Sequence, residues 1–142
     1  MSDTREDEAI AMVERFMLAS MEGDRGVTDE LMSPDIEVTF VGGQKLSKPE
    51  EIRAVNSRRY RNVAKSIERY DVAFQDDEIV VYSMGTLYGE WLDGEPFEAD
   101  RYIDRFVIKG GKIVRMDVWN DSAEHLLERA AERTHAETSL AR

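Results

Sequence analysis

Asp104 stands midway between Tyr102 and Phe106 in the run Arg101-Tyr102-Ile103-Asp104-Arg105-Phe106. Side chains two apart on a strand share a face, so this carboxyl group keeps company with two aromatic rings. Two fates are open to it. Buried among the rings, a desolvated carboxyl is suited to general acid–base work near neutral pH. On the outer face, it would pair with Arg101 or Arg115 across a hairpin. Parity leaves both open, because the alternate face (Arg101, Ile103, Arg105, Val107) is equally mixed.

Other chemistry-bearing residues read more plainly as structure. Asp121 and Glu124 sit at the spacing of a helix cap in Asp121-Ser122-Ala123-Glu124. His125 and His135 follow on the same helix, where solvated histidines are the rule. Arg58-Arg59-Tyr60-Arg61 offers an anion or an acidic partner four neighbouring side chains, yet a solvated helix face explains it as well. No paired-histidine spacing points to metal, Asp76-Asp77-Glu78 reads as a turn, and the chain has no cysteine. Disulfides, thiolate metal sites and a cysteine nucleophile are thereby excluded, and a reducing, cytoplasmic setting is expected. Neither a cofactor nor a metal is expected.

The 142 residues suit one domain, with a core over about 5–127 and a C-terminal helix over about 122–134. The acidic start, Met1-Ser2-Asp3-Thr4-Arg5-Glu6-Asp7-Glu8, is unlike a signal peptide, and no apolar run reaches membrane-spanning length. Formal net charge is −11, which opposes nucleic-acid binding, although residues 45–69 carry eight Lys or Arg against three Glu.

Periodicity predicts a helix over residues 5–22 (Ile10, Val13, Met17, Met21) and a short one from Thr28 to Met32, stopped by Ser33-Pro34. Ile36, Val38 and Phe40 mark a first strand. Ser47-Lys48-Pro49-Glu50 predicts a helix from Lys48 to Ser66. Strands then follow at Glu68–Gln75, Ile79–Leu92, Phe97–Ile108 and Lys112–Asn120, with Gly85 and Gly89 as bulges and Gly110-Gly111 as a hairpin turn. A helix from Ser122 to Arg133 ends the chain, with a frayed tail from Thr134. Helices first and meandering strands afterwards indicate an α+β fold, a curved antiparallel sheet wrapped by the N-terminal helices.

This order resembles the nuclear transport factor 2-like superfamily, in its SnoaL-like branch. The resemblance is carried by the helix Ile10–Gly23, by Ser33-Pro34-Asp35-Ile36-Glu37-Val38 and by Pro49-Glu50-Glu51-Ile52. It is completed by Ile103-Asp104-Arg105-Phe106, Gly111-Lys112-Ile113-Val114 and Trp119-Asn120-Asp121. It implies a cone-shaped sheet around a mostly apolar pocket, and a homodimer through the outer sheet face. It also implies a small apolar or aromatic ligand, bound passively or turned over by isomerisation, cyclisation, dehydration or hydrolysis.

Asp104 falls where ketosteroid isomerases keep a protonated aspartic acid, a carboxylic acid held neutral by its apolar site. However, Phe16 and Phe40 occupy the places of that family's oxyanion tyrosine and catalytic base, which argues against the same activity. The acidic and basic groups of limonene-epoxide hydrolase map onto Met84, Thr86 and Val118, and that activity is likewise unsupported. With even-numbered residues inward, the expected lining includes Phe16, Val38, Phe40, Tyr82, Met84, Thr86, Tyr88, Tyr102, Phe106, Met116, Val118 and Asn120. Asp104 would be the acid or base. Tyr88, Tyr102 and Asn120 would position the ligand, and Trp119, facing the other way, would belong to a dimer interface. A filled core of Met and aromatic residues is the alternative reading of the same lining.

Overall fold

In the computed structural model, which describes residues 4–140, two helices precede a six-stranded curled sheet, a short third helix interrupts it and a long fourth helix closes the chain. α1 (Thr4–Glu22) leads to α2 (Arg25–Leu31), β1 (Met32–Phe40) and β2 (Gln44–Leu46). α3 (Glu51–Asn56), β3 (Tyr60–Gln75), β4 (Glu78–Trp91), β5 (Pro96–Lys109), β6 (Lys112–Asn120) and α4 (Ser122–Leu140) complete the order. The sheet runs β2-β1-β6-β5-β4-β3. All pairings are antiparallel except β1 with β6, which is parallel.

The largest departure from expectation lies at residues 48–66. Only Glu51–Asn56 is helical there, and from Tyr60 the chain is strand. Local signals favour a helix, but β3 pairs with β4 from Tyr60↔Trp91 to Gln75↔Glu78, and a ladder of that length outweighs intrinsic propensity. The expected capping box is instead a side-chain contact, with Ser47 Oγ donating to Glu51 Oε1 at 2.8 Å. α2 starts earlier than expected, since Asp24 Oδ1 accepts from Val27 N at 3.2 Å as its cap. Ser33-Pro34 lies inside β1 rather than ending a helix. β2, three residues long, carries no periodic signal of its own. α4 continues to Leu140, so the segment from Thr134 is helical rather than frayed, with Thr134 and Thr138 donating back to the Ala130 and Thr134 carbonyls.

Both predicted bulges are present. The β3–β4 register shifts between Ile67 and Arg69, leaving Glu68 as the extra residue across from Gly85. A Cβ on Gly85 would lie 2.0 Å from the Ser66 carbonyl, so glycine is required there by close backbone approach. The β4–β5 register shifts between Leu87 and Gly89, and Ala99 opposite adopts φ 60°. These bulges curl the sheet around α1. Val13 and Phe16 of α1 pack on Val38, Val81, Phe106, Ile113 and Met116, with the Phe16 and Phe106 rings edge to face at 6.0 Å. Each such fully buried side chain contributes about 1.5–3 kcal/mol.

Candidate functional site

Between the concave sheet face and α1–α3 lies a cavity of about 690 Å³. Phe16, Phe40, Tyr102, Asp104, Met116, Val118 and Asn120 all stand in its wall. The alternation of β5 puts Asp100, Tyr102, Asp104 and Phe106 on the buried side, and the register Asp104↔Val118 brings the even residues of β6 to the same side.

Met84, Thr86 and Tyr88 are elsewhere, contrary to the expected lining. β4 pairs Ser83 with Asp104 and Met84 with Ile103, so its odd residues Val81, Ser83 and Leu87 face inward and its even ones outward. The hairpin between β4 and β5 changes parity, which an even-number rule cannot register. Tyr82 is outward too, its hydroxyl accepting from Arg105 Nε at 3.4 Å. Tyr88 is exposed and cannot position a ligand in the cavity. Val38 and Phe106 belong to the packed core.

Asp104 is 1% exposed. Its Oδ2 accepts a hydrogen bond from Lys65 Nζ in an ion pair, while its Oδ1 is buried without a partner among the described residues. Lys65 also lines the cavity, and its side chain is 19% exposed. Its ammonium lies 4.8 Å from the centroid of the Tyr102 ring and 3.9 Å from Met17 Sδ, so three different groups surround the charge. The Tyr102 hydroxyl shares a 3.0 Å hydrogen bond with Ser83 Oγ. Burial pushes Tyr102 above its usual pKa, the Ser83 bond opposes this, and the Asp104 charge adds to the rise.

Lys65 is hidden in the sequence because the pattern around it reads as a solvated basic helix. Taken as a strand, Val63-x-Lys65-x-Ile67 alternates, and a lysine on an otherwise apolar face is the signal that could reveal it. A second buried group is hidden for the same reason. Tyr60 lines the cavity and stacks against Trp91 and Phe97 at 5.5 Å each. Its hydroxyl meets Ser122 Oγ, and Ser122 Oγ donates to Asp100 Oδ2.

The remaining candidates behave as structure. Asp121 accepts from Arg101 Nε at 2.5 Å on the surface, and Glu124 is exposed in the first turn of α4. Arg58 and Arg59 border a small cleft with Arg129 and Arg133, whereas Arg61 stands in the wall of the main cavity. Among the described residues, no group of three or more His, Cys, Asp or Glu could hold a metal ion, and no helix is long and apolar enough to cross a membrane.

The family model for the SnoaL-like domain matches residues 13–116. No curated protein matches the sequence significantly. Among solved structures, a candidate SnoaL-like polyketide cyclase from Jannaschia sp. CCS1 is 19% identical, with 89% of this chain and 94% of that one covered at a TM-score of 0.66. A candidate ketosteroid isomerase from Shewanella frigidimarina is 14% identical, covering 77% and 92% at a TM-score of 0.62. A CaMKII hub from S. rosetta is 17% identical, covering 79% and 93% at 0.61. At such identities the likeness establishes the fold alone.

Proposed function

The chain belongs to the SnoaL-like domain family, and on that footing we propose that it binds a ring-bearing small molecule with a hydrogen-bond donor and carries out cofactor-free acid–base chemistry on it. Asp104 is the group that exchanges a proton with the ligand. One observation carries this reading: a buried carboxylate in a cavity wall, with one oxygen fixed by Lys65 and the other unpartnered among the described residues. A buried polar atom left without its hydrogen bond costs about 1–3 kcal/mol, and a ligand hydroxyl would recover it. Lys65 orients the carboxylate and balances its charge. Phe16, Phe40, Met116 and Val118 supply apolar contact for a ring, and Tyr102 and Asn120 supply polar contact. Isomerisation, cyclisation, dehydration and hydrolysis all fit a single proton-transfer group of this kind.

Thermal-shift titration with substituted phenols tests it. Binding should tighten with phenol acidity in the natural protein and weaken about tenfold in Asp104→Asn. Phenols that stabilise both proteins equally would leave a pocket without an acid–base group. That outcome favours the second reading, a non-catalytic binding module, which is supported by Phe16 and Phe40 standing where the resemblance would put a catalytic tyrosine and base.

The outer sheet face presents Tyr88, Ile103 and Trp119, which are 49%, 41% and 54% exposed. An apolar surface on a sheet supports the homodimer that the resemblance implied. Trp119→Glu should convert a dimer to a monomer in sedimentation, and a monomeric natural protein would remove the proposal. Freedom from cysteine supports a reducing compartment such as the cytoplasm, which cell fractionation would test.

A further inference from the structure

Asp100, Ser122 and Tyr60 form a hydrogen-bonded chain from the interior of the protein to the cavity wall, and each member is at most 5% exposed. Its direction follows from counting hydrogens. Ser122 has one, and it is given to Asp100 Oδ2. Ser122 can therefore only accept from Tyr60, so the Tyr60 proton is committed and its hydroxyl is left as an acceptor. If Asp100 carries a proton, the chain reverses. Asp100 then donates to Ser122, Ser122 donates to Tyr60, and the Tyr60 proton is freed.

We propose that Asp100, acting through Ser122, sets whether Tyr60 offers a ligand in the cavity a hydrogen-bond acceptor or a donor. This rests on the reading of the cavity as a ligand site. The proton step balances without a further reactant. An acidic ligand hydroxyl gives its proton to Tyr60 Oη as the Tyr60 proton moves to Ser122 Oγ and the Ser122 proton moves to Asp100 Oδ2. The ligand becomes an anion and Asp100 becomes neutral. Asp100 and Ser122 are positioning residues in this scheme, and Tyr60 is the group that touches the ligand.

The backbone is built to put Asp100 there. The register shift beside Ala99, with its φ of 60°, turns Asp100 inward near the start of β5. Asp100 Oδ1 also accepts from Asp121 N at 3.1 Å, which ties the start of α4 to the sheet. Burial holds both Asp100 and Tyr60 above their usual pKa values, so the neutral forms that the reversed chain needs are favoured. The titratable and charged groups facing the chain are His125 and Asp121 near Asp100, and Arg59, which also hydrogen-bonds Tyr60 and leaves its hydroxyl oxygen one further lone pair for a ligand.

The probe is 2,4-dinitrophenolate, which stays ionised from about pH 5.5 to about 8.5 and can only accept a hydrogen bond. Its binding to the natural protein should take up one proton, so affinity should fall by up to tenfold per pH unit wherever free Asp100 is ionised. Asp100→Asn places an amide donor against Ser122 permanently, so its affinity should be independent of pH and higher than that of the natural protein at the alkaline end. Tyr60→Phe should abolish the slope while keeping the ring stack, and Asp104→Asn and His125→Gln should keep it. A slope that persists in Asp100→Asn overturns the proposal. If that slope also disappears in Asp104→Asn, the proton resides on Asp104, and the reading of the main site stands alone. A probe that never binds the natural protein would overturn the Tyr60 proposal alone, because the reading of Asp104 calls for a donor ligand and is tested by the neutral phenols.

Discussion

Asp100 and Asp104 occupy the same face of β5 with only Tyr102 between them on that face, yet they are treated differently by their surroundings. Asp100 is fully engaged, with one oxygen on Ser122 and the other on the backbone of Asp121. Asp104 is half engaged, with one oxygen on a lysine and the other on no described residue. A carboxylate with every bond made by the protein is a structural device that can at most hold or pass a proton. A carboxylate with one oxygen uncommitted in a cavity wall has an acceptor to offer a ligand.

The sharpest way to break this contrast is Lys65→Met. It strands Asp104 as an unpaired buried charge, and unfolding in urea should show a loss of about 3–5 kcal/mol. The double variant Lys65→Met with Asp104→Leu should recover most of it. If the double variant is as weak as the single one, the ion pair is not what Lys65 contributes. Asp100→Ala should come next, costing about 1–3 kcal/mol because the buried Ser122 hydroxyl loses its acceptor, while the Asp121 amide keeps its 2.9 Å bond to the Arg101 carbonyl. Asp100→Asn should cost less.

The pH dependence has a definite sign. Burial raises Asp100 above its ordinary value of 3.8, so the native state binds this proton more tightly than the unfolded chain. Its contribution is present at low pH and is lost as pH rises from the unfolded value through the raised native one. Asp100→Asn lacks the titration, so its deficit relative to the natural protein should shrink as pH rises across that window. Urea melts at a series of pH values read this directly, and a constant deficit would contradict it.

Asp104→Asn should cost less than Lys65→Met, because the partly exposed Lys65 ammonium reaches water and keeps a neutral acceptor, while ligand affinity drops. Arg101→Ala removes a surface partner of Asp121 and should leave the melting curve unchanged. A large effect there would mean that the Asp100 end of the strand depends on surface charge rather than on its buried bonds.

How legible these features are depends on the range over which each is encoded. Asp104 is visible because Tyr102-x-Asp104-x-Phe106 is a local alternation and the Gly110-Gly111 hairpin fixes its partners on β6. Met84, Thr86 and Tyr88 are misplaced by parity because their face depends on the connection between β4 and β5, not on their own spacing. Lys65 and Tyr60 are hidden by a helix signal that is real locally and loses to the β3–β4 ladder.

The sequence by itself determined the order of the elements apart from β2, the strands from β4 to β6, the bulge glycines and the aromatic setting of Asp104, because period, turn chemistry and glycine are short-range properties. Tertiary structure alone decided that residues 60–75 are a strand, which face of β4 turns inward, and that Lys65 meets Asp104 across 39 residues of chain. Strand register and ion pairing are set by the free energy of the assembled sheet, and no window of local sequence contains that sum.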